Sequence, residues 1–344
     1  MLKLSDFDYD LPPERIAQYP PAFRGQSRLM VVDRASGDIR TGMFTDIIGY
    51  LERSDALVLN DTKVFPARLR ATKTSTGAQI ELLLLHEIQK GVWEAMVRPG
   101  RRVPPGTKLT IEGARHADSV EVVASRGATK TVCFQVDDVR RLCWRVGEIP
   151  LPPYIKRGAG PADARRYQTV FARKEGATAA PTAGLHFTSQ LLKTIRNMGV
   201  WIEYVTLHIG LGTFQPLQHE EVEKNRLHSE RYHVTAKTAE RLNEVHRRGR
   251  KIFAVGTTTL RLLETIATRE GEFRMGEGLS DIFIYPGHAF RSADALVTNF
   301  HLPRSSLLLL VTAFAGRDLI MRAYEMAIKE RFLFYSYGDA MLIL

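Results

Sequence analysis

Residues 68–136 show little helical periodicity. Short β-rich runs at 79–85, 92–97, 108–111, 119–124 and 129–136 alternate with turns such as Gln89-Lys90-Gly91 and Pro104-Pro105-Gly106. Strands so short and so regularly spaced bury an apolar face by closing into a small sheet or barrel. The flanks have another texture. Ahead of the block lie an apolar strand at 29–32, the turn Ser36-Gly37-Asp38, a short helix at 44–51 and a strand at 56–59. After the proline-rich run Ile149-Pro150-Leu151-Pro152-Pro153, helical stretches at 167–173, 189–198, 236–248, 258–269 and 317–331 alternate with strands. The fold class is therefore α/β: a discontinuous mixed α/β domain built from residues 1–62 and 151–344, carrying an inserted small β-barrel domain at 63–150. Such an insertion requires its two ends to lie close together on the host.

The length of 344 residues also favours two domains over one core. A formal charge of +10 points to an anionic partner, most simply nucleic acid, because Arg and Lys recur in clusters. These clusters are Arg98/Arg101/Arg102, Arg140/Arg141/Arg145, Lys156/Arg157, Arg165/Arg166 and Arg247/Arg248/Arg250/Lys251. Cys133 and Cys143 form no C-x-x-C pair, which argues against a disulfide framework and a structural zinc site. The first residues lack a signal-peptide apolar core, and the apolar stretch 307–314 is shorter than the ~20 residues of a membrane helix. The expectation is a soluble cytoplasmic protein without a membrane partner.

Chemistry-bearing residues concentrate at 179–216, which reads A-A-P-T-A-G-L-H-F, a helix-forming stretch, a strand-forming stretch, and T-L-H-I-G-L-G-T-F-Q-P. Pro181 and Gly184 disfavour a regular element, so Thr182, Ala183, Gly184 and His186 can face a ligand. Alternatively, Thr188 merely caps the following helix and His186 satisfies a buried carbonyl. Further on, Ile202, Tyr204, Thr206 and His208 share one strand face. Gly210, Gly212 and Thr213 then let backbone close on a substrate, or simply end the strand in a turn. The spacing is not that of a dinucleotide fingerprint. At Gly256-Thr257-Thr258-Thr259, with Arg261 following, hydroxyls and free N–H groups meet at a helix start suited to a carboxylate or phosphate; a threonine cap is the simpler reading. His228-Ser229-Glu230 and Thr298-Asn299-Phe300-His301 add proton-handling groups. No compact ligand motif links His186, His208, His228, His301 and Glu230, so metal-free acid–base chemistry is expected over a metal-dependent hydrolase.

Taken together, Asn60-Asp61-Thr62-Lys63, Pro66-Ala67-Arg68-Leu69, I-P-L-P-P-Y-I-K-R ending at Arg157, Tyr167-Gln168-Thr169-Val170, the two motifs above, V-G-T-T-T-L-R-L-L-E, T-N-F-H-L-P and S-Y-G-D-A-M closely resemble the S-adenosylmethionine:tRNA ribosyltransferase-isomerases, from Leu4 to Ile343. The resemblance implies a monomer with a barrel inserted in a discontinuous α/β domain. The implied reaction moves the ribosyl part of S-adenosylmethionine onto 7-aminomethyl-7-deazaguanine at the tRNA wobble position. Isomerisation there gives epoxyqueuosine, and adenine and methionine leave. No cofactor is implied, because S-adenosylmethionine is consumed. Relatives often carry a second histidine in the segment preceding His228, as H-x-M-H-x-E, whereas Asn225 and Leu227 stand at the matching positions here.

That reaction needs a base for the ribose C5′ proton acidified by the sulfonium, an acid for departing adenine, and a base to free the attacking amine. His186 or His208 is the expected base, and Glu230 or Asp61 the proton donor or amine-orienting carboxylate. Thr257, Thr258 and Arg261 are expected to hold the methionine carboxylate, with Asn299 and His301 also in the substrate pocket. For tRNA, Lys156, Arg157, Arg165 and Arg166, with Tyr154, Tyr167 and Phe171 for stacking, are extended by Arg98, Arg101 and Arg102. An RNA-binding protein without chemistry is the rival.

Overall fold

The structure, a computed structural model, describes residues 2–114, 119–210 and 216–344. The chain begins the main sheet with β1 (Arg28–Val32), β2 (Ile39–Met43) and β3 (Ala56–Asn60), then forms β4 (Thr62–Val64). Six strands follow: β5 (Arg68–Lys73), β6 (Gln79–Gln89), β7 (Val92–Arg98), β8 (Lys108–Ile111), β9 (Ser119–Arg126) and β10 (Thr129–Phe134). They close into an antiparallel barrel in the order β10-β7-β6-β5-β8-β9. Its core takes alternate residues, Leu69 and Ala71, Trp93 and Ala95, Val120 and Val122, as period-two strands around one interior require. Helix α1 (Val139–Val146), capped by Asp138, adds Val139, Leu142 and Cys143 to the same cluster.

The barrel's entry and exit lie side by side. Arg68 and Glu148 exchange backbone hydrogen bonds of 3.2 and 2.8 Å. Gly147 sits so tightly on Pro66 that a Cβ would stand 2.1 Å from its carbonyl oxygen, so no larger residue fits. The division expected at residue 62 cuts across β4, which pairs in parallel with β11 (Lys174–Ala177) beyond the barrel. Between them lies the four-residue α2 (Asp163–Arg166).

The remaining elements are α3 (Ser189–Asn197), β12 (Trp201–Leu207), β13 (Glu230–Val234), α4 (Ala236–Arg247), β14 (Ile252–Val255), α5 (Thr257–Ile266), β15 (Gly276–Ser280), β16 (Ala295–Asn299), α6 (Ser306–Ala315), α7 (Arg317–Lys329) and β17 (Ala340–Ile343). The main sheet runs β15-β13-β12-β3-β14-β16-β17-β1-β2. Its central strands β12, β3, β14 and β16 are parallel, and β3, β14 and β16 are buried along their whole length. They read as continuous apolar runs because both faces are covered. Val58, Ala254 and Leu296 point to helices α4 to α7; Leu57, Phe253 and Val297 point to α3 and the 3-10 turn Phe44–Tyr50.

Three local differences from the sequence reading have physical causes. The helix expected at 167–173 does not form; helix stops at Arg166, and Gln168 instead exchanges side-chain hydrogen bonds of 2.9 Å with both backbone groups of Val64, tying the segment to β4. Helix α6 escaped notice because S-L-L-L-L-V-T-A-F-A is apolar all round and has no periodicity to detect. Helix α1 is only eight residues long.

Candidate active site

The parallel strands end at one edge of the sheet, where the antiparallel β13 and β17 begin and β1 starts beside β17. This is the edge at which open α/β sheets bind ligands. Asp61, His208, Glu230, Thr257, Asn299 and His301 all lie along it.

The first corner forms where β3 and β12 separate. The Asn60 amide bridges the gap, donating to the Leu207 carbonyl at 3.0 Å and accepting from the Leu207 N–H at 3.1 Å. Next to it the Thr206 hydroxyl donates to the Asp61 carboxylate at 2.7 Å. Burial raises the Asp61 carboxyl above the usual carboxylate range, against the Thr206 bond and the charges of Arg173 and Lys174. His208 Nδ1 lies 2.8 Å from Thr62 Oγ1, whose hydroxyl also reaches the Lys174 carbonyl at 3.4 Å. With that hydroxyl proton directed to the carbonyl, Nδ1–H donates to Thr62 and the Nε2 lone pair is left without a partner among the described residues. The ring lies flat on Gly176, where a Cβ would come within 2.8 Å of it. Burial, helped by Arg140 and Arg231, lowers His208 to about 4, so the imidazole is neutral at neutral pH.

Glu230 completes this corner. Its Oε1 accepts the Gly210 N–H at 3.2 Å and its Oε2 accepts Arg261 Nη1 at 2.9 Å. Both side chains are nearly inaccessible, 4% and 2% exposed. Arg261 Nε donates to the Ile282 carbonyl, while buried Nη2 has no hydrogen-bond partner among the described residues. A donor left over inside a site is available to a ligand oxygen.

The second corner is built differently. His186 ends a 3-10 turn, Thr182–His186, and is fully enclosed. Its Nδ1 meets Ser27 Oγ at 2.8 Å and its Nε2 meets Asn299 Nδ2 at 3.0 Å. The Asn299 amide is oriented by the carbonyls of Tyr335 and Asp339, so Nδ2 is its donor end; Nε2 accepts and Nδ1–H donates to Ser27. Burial, then Arg24, lowers His186 to about 3. Both nitrogens are occupied, and the ring packs on Phe44. His301 is held likewise, between Thr298 Oγ1 at 3.2 Å and the Tyr324 hydroxyl at 3.3 Å, and burial lowers it to about 3. Thus Asn299 and His301 brace the fold beside the edge.

Gly184 also has a packing reason: a Cβ there would lie 2.8 Å from the Phe171 ring and 2.9 Å from Thr169. Neighbouring Ala183 packs near Gly256, whose φ of +95° lets β14 turn into α5. Thr259 spends its hydroxyl on the Val255 carbonyl at 2.6 Å, so Thr257 and Thr258 are the hydroxyls at this helix start not tied to that strand. Gly212 and Thr213 lie outside the described residues. Asn225 holds the loop before Glu230, accepting from Gln218 and His219 N–H and donating to the His219 carbonyl. Among the described residues no group of three or more His, Cys, Asp or Glu is placed to hold a metal ion.

The family described as queuosine biosynthesis protein matches residues 4–343. Relatives called S-adenosylmethionine:tRNA ribosyltransferase-isomerase include one from Halothermothrix orenii, 49% identical over 344 residues and covering all of both chains. Another, from Thermotoga maritima, is 51% identical over 345 residues with the same full coverage. The crystal structure of S-adenosylmethionine tRNA ribosyltransferase from Thermotoga maritima superposes with a TM-score of 0.56, covering 98% of this chain and all of that one, with 41% identity.

The chain belongs to the queuosine biosynthesis family.

For a member of this family, the basic residues matter next. Arg98, Arg101, Arg102, Lys156 and Arg165 are exposed. Arg157 and Arg166 are not free. Arg157 forks onto Asp163 at 2.6 and 2.8 Å, and Arg166 donates to the carbonyls of Pro21 and Ala22. The stacking role expected of Tyr154, Tyr167 and Phe171 fails because Tyr167 and Phe171 lie in the core and Tyr154 is packed against Tyr335. The most exposed rings among the described residues are instead Tyr19 and Phe23, 67% and 70% accessible, on the loop that Arg166 ties down; Trp144, 43% accessible, lies elsewhere, on α1. Arg157 lies over the Tyr19 ring at 4.4 Å. Nothing in the local sequence marks these rings as outward-facing. Among the described residues no helix is long and apolar enough to cross a membrane.

Proposed function

We propose that the protein transfers the ribosyl moiety of S-adenosylmethionine to the aminomethyl group of 7-aminomethyl-7-deazaguanine in tRNA and isomerises it to epoxyqueuosine, releasing adenine and methionine. The observation that carries the assignment of roles is the Nε2 of His208, without a partner among the described residues, on a ring that is neutral and held by Thr62 and Gly176 beside Asp61 and the Glu230–Arg261 pair. His208 takes the ribose C5′ proton that the sulfonium acidifies; a neutral imidazole fixed through its other nitrogen is oriented for that. Asp61, whose carboxyl burial raises above the usual carboxylate range, is the proton donor to departing adenine. Glu230 has both oxygens engaged, so it orients Gly210 and Arg261 instead of shuttling a proton. Arg261 Nη2, without a hydrogen-bond partner among the described residues, and the N-terminus of α5 receive the methionine carboxylate.

The RNA lies along the same edge, with anticodon bases stacking on Tyr19 and Phe23 and phosphates meeting Lys156, Arg165 and the barrel arginines Arg98, Arg101 and Arg102. S-adenosylmethionine enters as a substrate and no separate cofactor takes part. The test is to incubate the protein with S-adenosylmethionine and tRNA bearing the deazaguanine precursor, and to assay adenine and methionine chromatographically, with and without chelator. Adenine release unaffected by chelator is expected; no adenine at all would refute the transferase reading.

A further inference from the structure

At the opposite edge of the sheet, where β12 begins, an open cavity of about 430 Å³ is ringed by Arg53, Arg196, Arg241 and Arg248 around Trp201. Trp201 starts β12 and Leu207 ends it, so at roughly 3.3 Å per residue this cavity lies about 20 Å from the candidate active site. The arginines come from separate elements: the turn before β3, the last turn of α3, and α4 with its C-cap. No acidic side chain lines the cavity among the described residues. Glu203 and Glu244 pair with Arg241 and Arg248 from outside it, whereas Arg53 and Arg196 form no ion pair among the described residues. Arg241 and Arg248 also lie over the Trp201 ring, at 5.2 and 5.6 Å, which holds their charge at the rim. Gly199 lets Arg53 lie flat on the backbone, since a Cβ there would stand 2.9 Å from Arg53 Cγ.

Arg53 and Arg196 add their charge to the carboxylate-paired Arg241 and Arg248, and this concentration of guanidinium groups in one concavity favours the entry of an anion. Their planar forks match phosphate oxygens. We propose that this cavity is a second, remote phosphate-binding site that grips the phosphodiester backbone of the RNA substrate away from the reacting nucleotide. The inference rests on the proposed function for the identity of the RNA. A single small phosphate would occupy little of the cavity, and a chain of phosphates is the partner that can reach both sheet edges.

The test is tRNA binding by the full-length protein as a function of salt, for the parent and for the double variants R53Q/R196Q and R53K/R196K. Loss of two phosphate contacts should weaken binding about tenfold near 0.1 M salt and make the log–log salt dependence shallower by about 1.5. The lysine pair should keep most of the slope, because the charge remains. Thermal midpoints within a few degrees of the parent exclude misfolding, since both arginines are exposed. An unchanged affinity and slope for R53Q/R196Q would overturn the site. So would loss of tripolyphosphate binding with tRNA affinity intact, which would mark a small-polyanion pocket. Failure of the parent to release adenine while it still binds tRNA with the expected slope change in the variant would strike the proposed function and leave this site standing.

Discussion

His186 and His208 lie on the same edge of the same sheet, the first buried and the second half-buried, and desolvation lowers both well below the ordinary histidine range, yet their surroundings give them different tasks. At His186 every polar valence is matched, Nδ1 to Ser27 and Nε2 to Asn299, so the ring cross-links β1, β16 and the 3-10 turn. At His208, among the described residues, only Nδ1 is matched, by Thr62. The contrast shows that desolvation alone does not identify a catalytic base; the decisive feature is whether a lone pair is left over and what lies near it.

The largest effect that can break this comparison is on rate. His208→Ala should lower adenine release by about 10²–10⁴-fold, the usual range for a general base, with tRNA affinity and thermal midpoint little changed. His186→Ala should instead remove the buried hydrogen bonds to Ser27 and Asn299 and destabilise the fold by about 1–3 kcal/mol, with folded enzyme retaining most of its rate. Single-turnover assays beside thermal melts decide this, and interchange of the two phenotypes would reverse the assignment. The next effect concerns what lies near His208. Arg261→Met strands a buried carboxylate at Glu230 and should cost about 3–5 kcal/mol, whereas the double variant with Glu230→Gln should recover much of it. Chemical denaturation of both measures the difference.

The smallest effect is on pH. Because the folded state holds His186 and His301 near 3 while an ordinary histidine titrates near 6.5, the unfolded chain binds more protons between those values. Stability is therefore fully present above pH 6.5 and falls as pH drops toward 3, by up to about 1.4 kcal/mol per pH unit for each such histidine. His186→Gln should flatten the fall in melting temperature between pH 7 and 5; a slope equal to the parent's would show that His186 is not held neutral.

The barrel and the main strands were legible because their signals are local: alternation in β5 to β10, continuous apolar runs in β3 and β14, and the T-L-H-I-G motif at the end of β12. Tyr167 and Phe171 misled for the same reason. Their aromatic spacing within a basic stretch is what an RNA-binding loop shows, and burial against β4 and α3 is a long-range event that no local pattern records. Conversely, Tyr19 and Phe23 look like ordinary core residues in the sequence and face solvent in the structure.

The sequence by itself determined the insertion of a barrel in an α/β frame, the family, and the small set of residues at the chain's strand ends. Those follow from period, composition and motif order, which short-range physics writes into neighbouring positions. Which histidine keeps a free nitrogen, which arginines are already spent on carboxylates, and which four gather around Trp201 were decided only by the tertiary structure. Most depend on partners far apart in the sequence, Thr62 with His208, Glu230 with Arg261, and Arg53 with Arg248, brought together by packing, and at the hydrogen-bonded sites the distance of about 3 Å decides whether a bond forms.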